Sequence, residues 1–295
     1  MEFLPSQCDL HMHTTVSDGT DGPLEIMSLV KEKGIGMFSV TDHDAVKGCG
    51  IIAESITVND PTFSTGVEFS CKDDLGQYHI LGYGYDIKAE EIQSLVQKAH
   101  LIRMNKVKMR LERLKDQFGI SFPEEELEAL FAMDNPGKPH MGSLMVKYNI
   151  TRTKEEAIKN FLNRIRIRNE IIGPEEAICS IKASGGIPVL AHPSYGNGDQ
   201  LIMGDEMDER LRHLTAMGLM GVEAFYSGFT GRLRNEMLSF AEKYSLFVSA
   251  GSDYHGSNKL VELGDNGTEG CPETPESFRR FIKEVSERPG AYNFR

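Results

Sequence analysis

Along the first part of the chain, short β-branched or aromatic runs alternate with longer stretches whose apolar residues recur at helical spacing. "QCDLHMH" and "IGMFSVTD" read as strands, and "GPLEIMSLVKEKG" and "AVKGCGIIAESITV" read as helices. Two further strands are predicted in "TFSTGVEFSC" and "YHILGYGYDI". From Ala89 to about Arg168 the pattern becomes helical and charge-rich, from "AEEIQSLVQKAHLIRMNKVKMRLERLKDQFG" to "TKEEAIKNFLNRI", and predicts an inserted helical subdomain. The alternation then returns in "PEEAICSIKASGG", "IPVLAHP", "DERLRHLTAMG", "MGVEAFY", "GRLRNEMLSFAEKYS" and "LFVSAGSDYHG". Several of these helical stretches end in glycine just before a short apolar run, as C-capped β/α units do. The expected organisation is an α/β domain over 1–88 and 169–295, interrupted by an insert over 89–168. Such alternation builds either an open doubly wound sheet or a closed barrel.

Where the polar residues fall favours the barrel. In "CDLHMHTTVSDGT" the period of two sends Asp9, His11 and His13 to one face and Leu10 and Met12 to the other, with Asp18 following in the loop. The second strand ends at Asp42 and His43, Glu68 lies in the third, His79 in the fourth, His192 ends "IPVLAHP", and Asp253 and His255 follow "LFVSAG". In a parallel barrel the C-terminal strand ends share one mouth, so residues distant in sequence converge there. Six of the nine histidines stand at such places, whereas His100 and His213 fall inside helical patterns and are left out. Imidazoles and carboxylates without thiolates suit zinc, manganese or iron rather than a cysteine-zinc site. The ligand set is too large for one ion, so two or three ions bridged by a carboxylate such as Glu68 are expected. Clusters of this kind hydrolyse phosphate esters.

Composition narrows the setting. The 295 residues are 40% hydrophobic, enough for a sizeable core and against disorder. With 32 Lys and Arg against 44 Asp and Glu, the net charge of -12 repels nucleic acid and anionic membranes in general, so a phosphate-bearing substrate must be held locally. The basic runs "RMNKVKMR" and "RIRIR" lie in the insert, where they could offset that field. Five scattered cysteines without a C-x-x-C pair indicate neither a disulfide framework nor a zinc ribbon. The N-terminus has no basic and apolar signal segment, and no apolar run is long enough to cross a bilayer, so a cytoplasmic protein is expected.

Together, "DLHMHTTVSDG", "TDHD", "GVE", "HILGY", "AHP" and "GSDYHG" resemble, in this order, the motifs of the PHP (polymerase and histidinol phosphatase) family of metal-dependent phosphoesterases. The resemblance spans nearly the whole chain. It implies a distorted (β/α)7 TIM-like barrel, the PHP fold, with metals at the C-terminal mouth. It also implies one ion held by His11, His13, Glu68 and Asp253, a second by Glu68, His79 and His192, and a third by Asp18, His43 and His255. These nine residues are the expected catalytic and metal-binding set, with manganese first and zinc or iron as alternatives, and a metal-activated hydroxide as the nucleophile. Asp9 and Asp42 are expected to orient neighbouring histidines or to cap strand ends.

Within the family, a helical insert after the fourth strand carrying an R-P-H element resembles bacterial enzymes that act on nucleoside 3',5'-bisphosphates and on the 5' ends of short RNA. Here the element reads "KPH", so Lys138 stands where arginine is usual, keeping the charge without the bidentate fork. Arg103, Lys138 and His140 are the expected substrate contacts, with a nucleoside bisphosphate or short RNA 5' end as partner, and no membrane or stable protein partner implied. Two alternatives are a phosphatase of a small metabolite such as histidinol phosphate, and a non-catalytic metal-binding accessory module.

Overall fold

The computed structural model describes residues 3–167, 170–195, 201–269, 271 and 273–292, so Arg168, the expected end of the insert, lies outside the described residues. In chain order the first elements are β1 (Cys8–Asp9), α1 (Pro23–Glu32), β2 (Met37–Phe38), α2 (Lys47–Ser55) and β3 (Thr62–Ser64). Helix α1 opens with Pro23 in its first turn, and the Gly22 N–H donates to the Glu25 carboxylate at 2.6 Å, which satisfies a donor the helix start would otherwise orphan. Next come β4 (Gly66–Lys72) and β5 (Gln77–Tyr83).

The charge-rich stretch forms α3 (Glu90–Phe118), α4 (Glu124–Phe131), α5 (Lys138–Lys147) and α6 (Lys154–Ala157), the last running into a π-helical turn at Ile158–Leu162. Helix α3 stops at Gly119, whose φ of 67° is the left-handed cap that glycine adopts without strain. The alternation resumes with α7 (Pro174–Ala183), β6 (Ile187–Leu190), α8 (Gly204–Ala216), β7 (Gly221–Tyr226), α9 (Gly231–Lys243) and β8 (Phe247–Gly251). Helix α10 (Glu276–Ser286) and β9 (Ala291–Tyr292) close the chain.

The strands form two sheets, β1-β2-β3-β9 and β4-β5-β6-β7-β8, in a mixed α/β arrangement. Pairs β1–β2, β2–β3, β6–β7 and β7–β8 are parallel, as the alternation predicts. The fourth predicted strand departs from it. Only four residues, 73–76, join β4 to β5, too few for a crossover, so β5 runs antiparallel to both β4 and β6. His79 therefore reaches the ligand-bearing end from the start of its strand rather than from the end, and its carbonyl accepts the Ala191 N–H just past β6 at 2.9 Å.

The two sheets are stitched together at both ends. Beyond β1, the Leu10 N–H donates to Ala250 at 3.0 Å and the His13 N–H to Tyr254 at 2.8 Å, while the Asp253 N–H donates back to His11 at 2.8 Å. Beyond β2, the Asp44 N–H donates to Glu68 at 2.9 Å. The main core packs Phe69, Tyr83, Val189, Val222, Val248 and Phe281 beneath the five-stranded sheet, and a second cluster around Phe38 and Phe63 underlies the other. The first half of α3 packs in the main core through Ile92, Leu95, Ala99 and Ile102, and a third cluster joins its second half to α4, α5 and the π-helical turn through Val107, Leu114, Leu130, Met141 and Leu162. Among the described residues no helix is long and apolar enough to cross a membrane.

Candidate metal centre

Several polar side chains that converge on the centre are flanked by apolar neighbours buried on the other side. Leu10 and Met12 are buried in hydrophobic clusters, so the alternation of an extended segment drives His11 and His13 to the opposite side, where both are fully buried. Glu68 does the same in β4 between buried Val67 and Phe69. His192 and Asp253, one residue past an apolar segment, take positive φ values of 25° and 60°, unusual for residues with a Cβ and a sign that the surroundings impose the turn.

The structure brings all nine expected residues together, the other eight gathered about Glu68. Its Oε1 lies 2.7 Å from His79 Nδ1 and 3.0 Å from His192 Nε2. Its Oε2 lies 3.1 Å from His13 Nε2, 3.1 Å from His43 Nδ1 and 3.4 Å from His11 Nε2. Asp253 Oδ1 faces His13 and His255 at 3.4 Å and His11 at 3.6 Å. Asp18 Oδ1 stands 3.3 Å from His255 Nε2, and Asp18 Oδ2 is 4.0 Å from His43 Nε2. Four groups with ligand atoms within 4.8 Å of one another result: His13, Asp18, His43 and His255; His11, Glu68 and His192; His11, His13 and Asp253; His43, Glu68 and His79. His79 and His192 share an oxygen of Glu68, while His13 also faces Asp18, His43 and His255, so the groups overlap rather than divide cleanly into three.

The chemistry of this donor set fits divalent ions. His11 Nε2, His13 Nε2, His43 Nδ1, Asp18 Oδ1 and Glu68 Oε2 are buried without a hydrogen-bond partner. One such atom costs about 1–3 kcal/mol, and five facing one another are what shared cations satisfy. The charges are coupled accordingly. Burial opposes ionisation of Glu68, Asp18 and Asp253, yet His43 beside the first two and Lys259 with His11 beside the third hold all three carboxyls well below the usual range. Burial also opposes charge on His13, but Asp253 and Glu68 raise its pKa to about 9.

Behind these residues lies a layer that sequence reasoning only partly identified. Asp9 and Asp42 do not touch imidazole nitrogens. Asp9 accepts from the Ser252 N–H at 2.9 Å, the Ser252 hydroxyl at 2.7 Å and the Gly264 N–H at 2.7 Å, tying β1 to the loop after β8. Asp42 accepts from the Thr14 N–H and hydroxyl at 2.8 Å and the Ser17 hydroxyl at 2.7 Å, shaping the loop that carries Asp18. The carboxylate that does orient an imidazole is Glu223, which sequence reasoning missed: Oε1 lies 2.9 Å from His11 Nδ1, and Oε2 accepts the His192 N–H at 2.8 Å. Its signal was present, since an acid inside the apolar run "MGVEAFY" is rare without a partner. A bulge in β7 beside Glu223 re-aims the strand there. Tyr226 and Lys259 both donate to Asp253 Oδ2, at 3.1 and 2.6 Å, leaving Oδ1 for the histidines.

A cavity of about 290 Å³ is lined by Asp18, His43 and His79 of the centre and by Arg103, Lys106, Arg110 and Lys138 of α3 and α5. Arg103 pairs with Asp44. Lys138 Nζ donates to Asn163 at 2.6 Å, and His140 Nδ1 accepts the Gly137 N–H at 3.1 Å, capping α5 from within. Arg103 and Lys138 thus line the cavity, whereas His140 lies outside its wall.

No family model matches the chain. Curated relatives span most of it. A Haemophilus influenzae 5'-3' exoribonuclease is 27% identical over 264 residues, 88% of this chain and 93% of that protein. A Chromobacterium violaceum 3',5'-nucleoside bisphosphate phosphatase is 28% identical over 259 residues, 84% and 86% of the two chains. A Bifidobacterium adolescentis structure, described as a candidate metal-dependent phosphoesterase, superposes with a TM-score of 0.79 at 26% identity and covers 95% of each chain. The chain is a homologue of these phosphoesterases. The kinship of these phosphoesterases agrees with the family read from the strand-end motifs, and the homologues are hydrolytic.

Proposed function

We propose that this phosphoesterase removes phosphate from nucleoside 3',5'-bisphosphates and releases nucleotides from the 5' ends of short RNA. The observation that carries the reading is the buried ring of imidazoles around Glu68, opening directly beneath a cavity whose far wall is cationic. The names of the exoribonuclease and bisphosphate phosphatase relatives support it. His11, His13, Glu68 and Asp253 would hold one divalent ion, Glu68, His79 and His192 a second, and Asp18, His43 and His255 a third, with manganese the first choice. Bound there, such ions supply an activated water and neutralise charge on the phosphoryl oxygens.

The chain's own residues do the rest. Glu223 fixes His11 and the backbone of His192, and Tyr226 with Lys259 turns one oxygen of Asp253 to the centre. Arg103 and Lys138 meet the substrate phosphate from the opposite wall, with His140 setting the start of α5 beneath them. We read the two stitched sheets as the distorted (β/α)7 barrel, formed by 1–88 and 169–295, and 89–168 as a subdomain that selects the nucleoside end. Five free cysteines support a reducing cytoplasm.

The test is phosphate release from adenosine 3',5'-bisphosphate with added manganese, beside a His192→Ala variant, a short 5'-phosphorylated RNA and histidinol phosphate. Manganese-dependent turnover of the bisphosphate and the RNA, lost in the variant, is expected. Turnover of histidinol phosphate alone would overturn the nucleotide reading, and no turnover by fully loaded protein would overturn catalysis.

A further inference from the structure

Beyond the inner cavity lies a second hollow that the proposed chemistry leaves unused. It encloses about 890 Å³, roughly three times the 290 Å³ of the inner cavity, and shares His79, Lys106, Arg110 and Lys138 with it, so the two are continuous. Lys72, Arg113 and Arg166 line the outer hollow only. Among the described residues no Asp or Glu lines it, although acids outnumber bases 44 to 32 in the chain.

The arrangement follows from the spacing on α3. Arg103, Lys106, Arg110 and Arg113 recur at intervals of three, four and three residues and so share one face of the helix. Arg103 lines the inner cavity, Lys106 and Arg110 line both, and Arg113 lines the outer hollow. At 1.5 Å per residue the stripe extends about 15 Å, enough to face several successive phosphates of a strand. Its members are not neutralised as a surface helix usually is. Among the described residues only Arg103 of the four pairs with an acid, Asp44, and Arg110 Nε is buried without a hydrogen-bond partner there. Burial, with Arg103 close by, lowers the pKa of Lys106 and of Arg110, the mark of cations packed together without enough anion. The rest of the lining is uncharged, Ile165, Ile167, Ile171 and Met109 with Cys71 and Gln77, and apart from the His79 imidazole at the shared rim no aromatic side chain among the described residues lines it for a base to stack on.

We propose that this groove binds the backbone of a single-stranded polynucleotide, with Lys106 and Arg110, then Lys72, Arg113 and Arg166, holding the phosphates that follow the one at the metal centre. The inference rests on the phosphoesterase reading and deepens it: a nucleoside bisphosphate occupies the inner cavity alone, while a longer strand uses the outer cations too. Because phosphates are held and no base is stacked, the groove is indifferent to sequence.

The test is a triple variant, Lys72→Gln, Arg113→Gln and Arg166→Gln, all at exposed positions that do not line the inner cavity. In the manganese-loaded enzyme its KM for a 5'-phosphorylated ten-nucleotide RNA should rise roughly tenfold or more, with hydrolysis of adenosine 3',5'-bisphosphate unchanged. The slope of log affinity against log salt for the RNA should flatten by about 2, near 0.7 for each phosphate that is no longer neutralised. Fluorescence anisotropy with metal chelated gives a readout independent of turnover, and RNA and DNA strands of equal length should bind alike and lose affinity alike in the variant. A variant that binds and cleaves RNA as the parent does would overturn the groove while leaving the phosphoesterase reading intact, and so would a DNA strand that fails to bind. A parent that cleaves no phosphoester yet loses strand binding in the variant would sink the phosphoesterase reading and leave the groove standing.

Discussion

The strand-end centre and the helical insert solve opposite problems with the same ionisable chemistry. At the centre, His11, His13, Glu68 and Asp253 are buried, and their positions are set by strands, positive-φ turns and the partners Glu223, Tyr226 and Lys259. On α3 and α5, Lys106, Arg110 and Lys138 are only half-buried and stand on helices that share a cluster around Val107, Leu114 and Met141, which α3 joins after leaving the main core at Ile102. A group held on a sheet frame by several bonds can be placed within tenths of an ångström, as polydentate ion binding requires. One on a half-exposed helix face adapts to ligands of different length. Changes at the centre should therefore abolish chemistry, and changes in the insert should retune binding.

The largest effect is expected from Glu68→Gln. One amide oxygen cannot replace a carboxylate that faces five imidazoles, so ions should be lost from more than one group. Phosphate release should fall at least about 1,000-fold, roughly 4 kcal/mol in the barrier, with metal content measured on the same sample. A variant that retains its ions and most of its rate would remove Glu68 from the centre. Glu223→Gln comes next. It keeps the shape but weakens the hold on His11 Nδ1 and the His192 N–H, and metal affinity should drop about 10- to 100-fold. Manganese titration followed by calorimetry separates this from a folding defect, because excess manganese should restore the rate.

The contrast also accounts for what the sequence made visible. Alternating side chains within a strand, and an apolar run ending in a histidine or acid, are local signals, so all nine residues of the centre, Glu68 included, could be picked out before any geometry was known. Relations between strands are not local. The reversal of β5 depends on the length of one turn, and the role of Glu223 depends on a strand more than 200 positions away from His11. Asp9 and Asp42 show the same limit. Their proximity in sequence to histidines suggested imidazole partners, but buried backbone N–H groups and hydroxyls of crossing loops were in greater need of an acceptor. The basic stripe on α3 was visible as composition, while its direction, from the inner cavity to the outer hollow, emerged only from the two cavities that the helix lines.

A milder effect is expected from Arg103→Met. If Arg103 meets the substrate phosphate as proposed, removing a charge-assisted hydrogen bond should raise KM for the bisphosphate roughly tenfold while kcat changes little. The same change leaves Asp44 without its guanidinium partner, and thermal unfolding of the variant checks that this costs only part of the stability. A fall in kcat with KM unchanged would place Arg103 in the reacting machinery and blur the division between the two regions.

The finest probe is Lys138→Arg, which restores the residue usual in the motif. A lysine ammonium meets a phosphate as a point charge, whereas a guanidinium can present two parallel donors at no change in net charge. Lys138 Nζ donates to Asn163 and also lines the cavity, so its ammonium stands between an insert contact and the substrate side. If it faces the substrate phosphate, the arginine should lower KM for adenosine 3',5'-bisphosphate by about two- to fivefold, equivalent to roughly 0.4–1 kcal/mol, with kcat unaltered. If its task is to pin α5 to the segment carrying Asn163, the arginine should leave KM where it was. Asn163→Ala distinguishes the two in the other direction: freeing the ammonium should sharpen phosphate binding in the first case and loosen the insert, seen as faster amide exchange across α5, in the second.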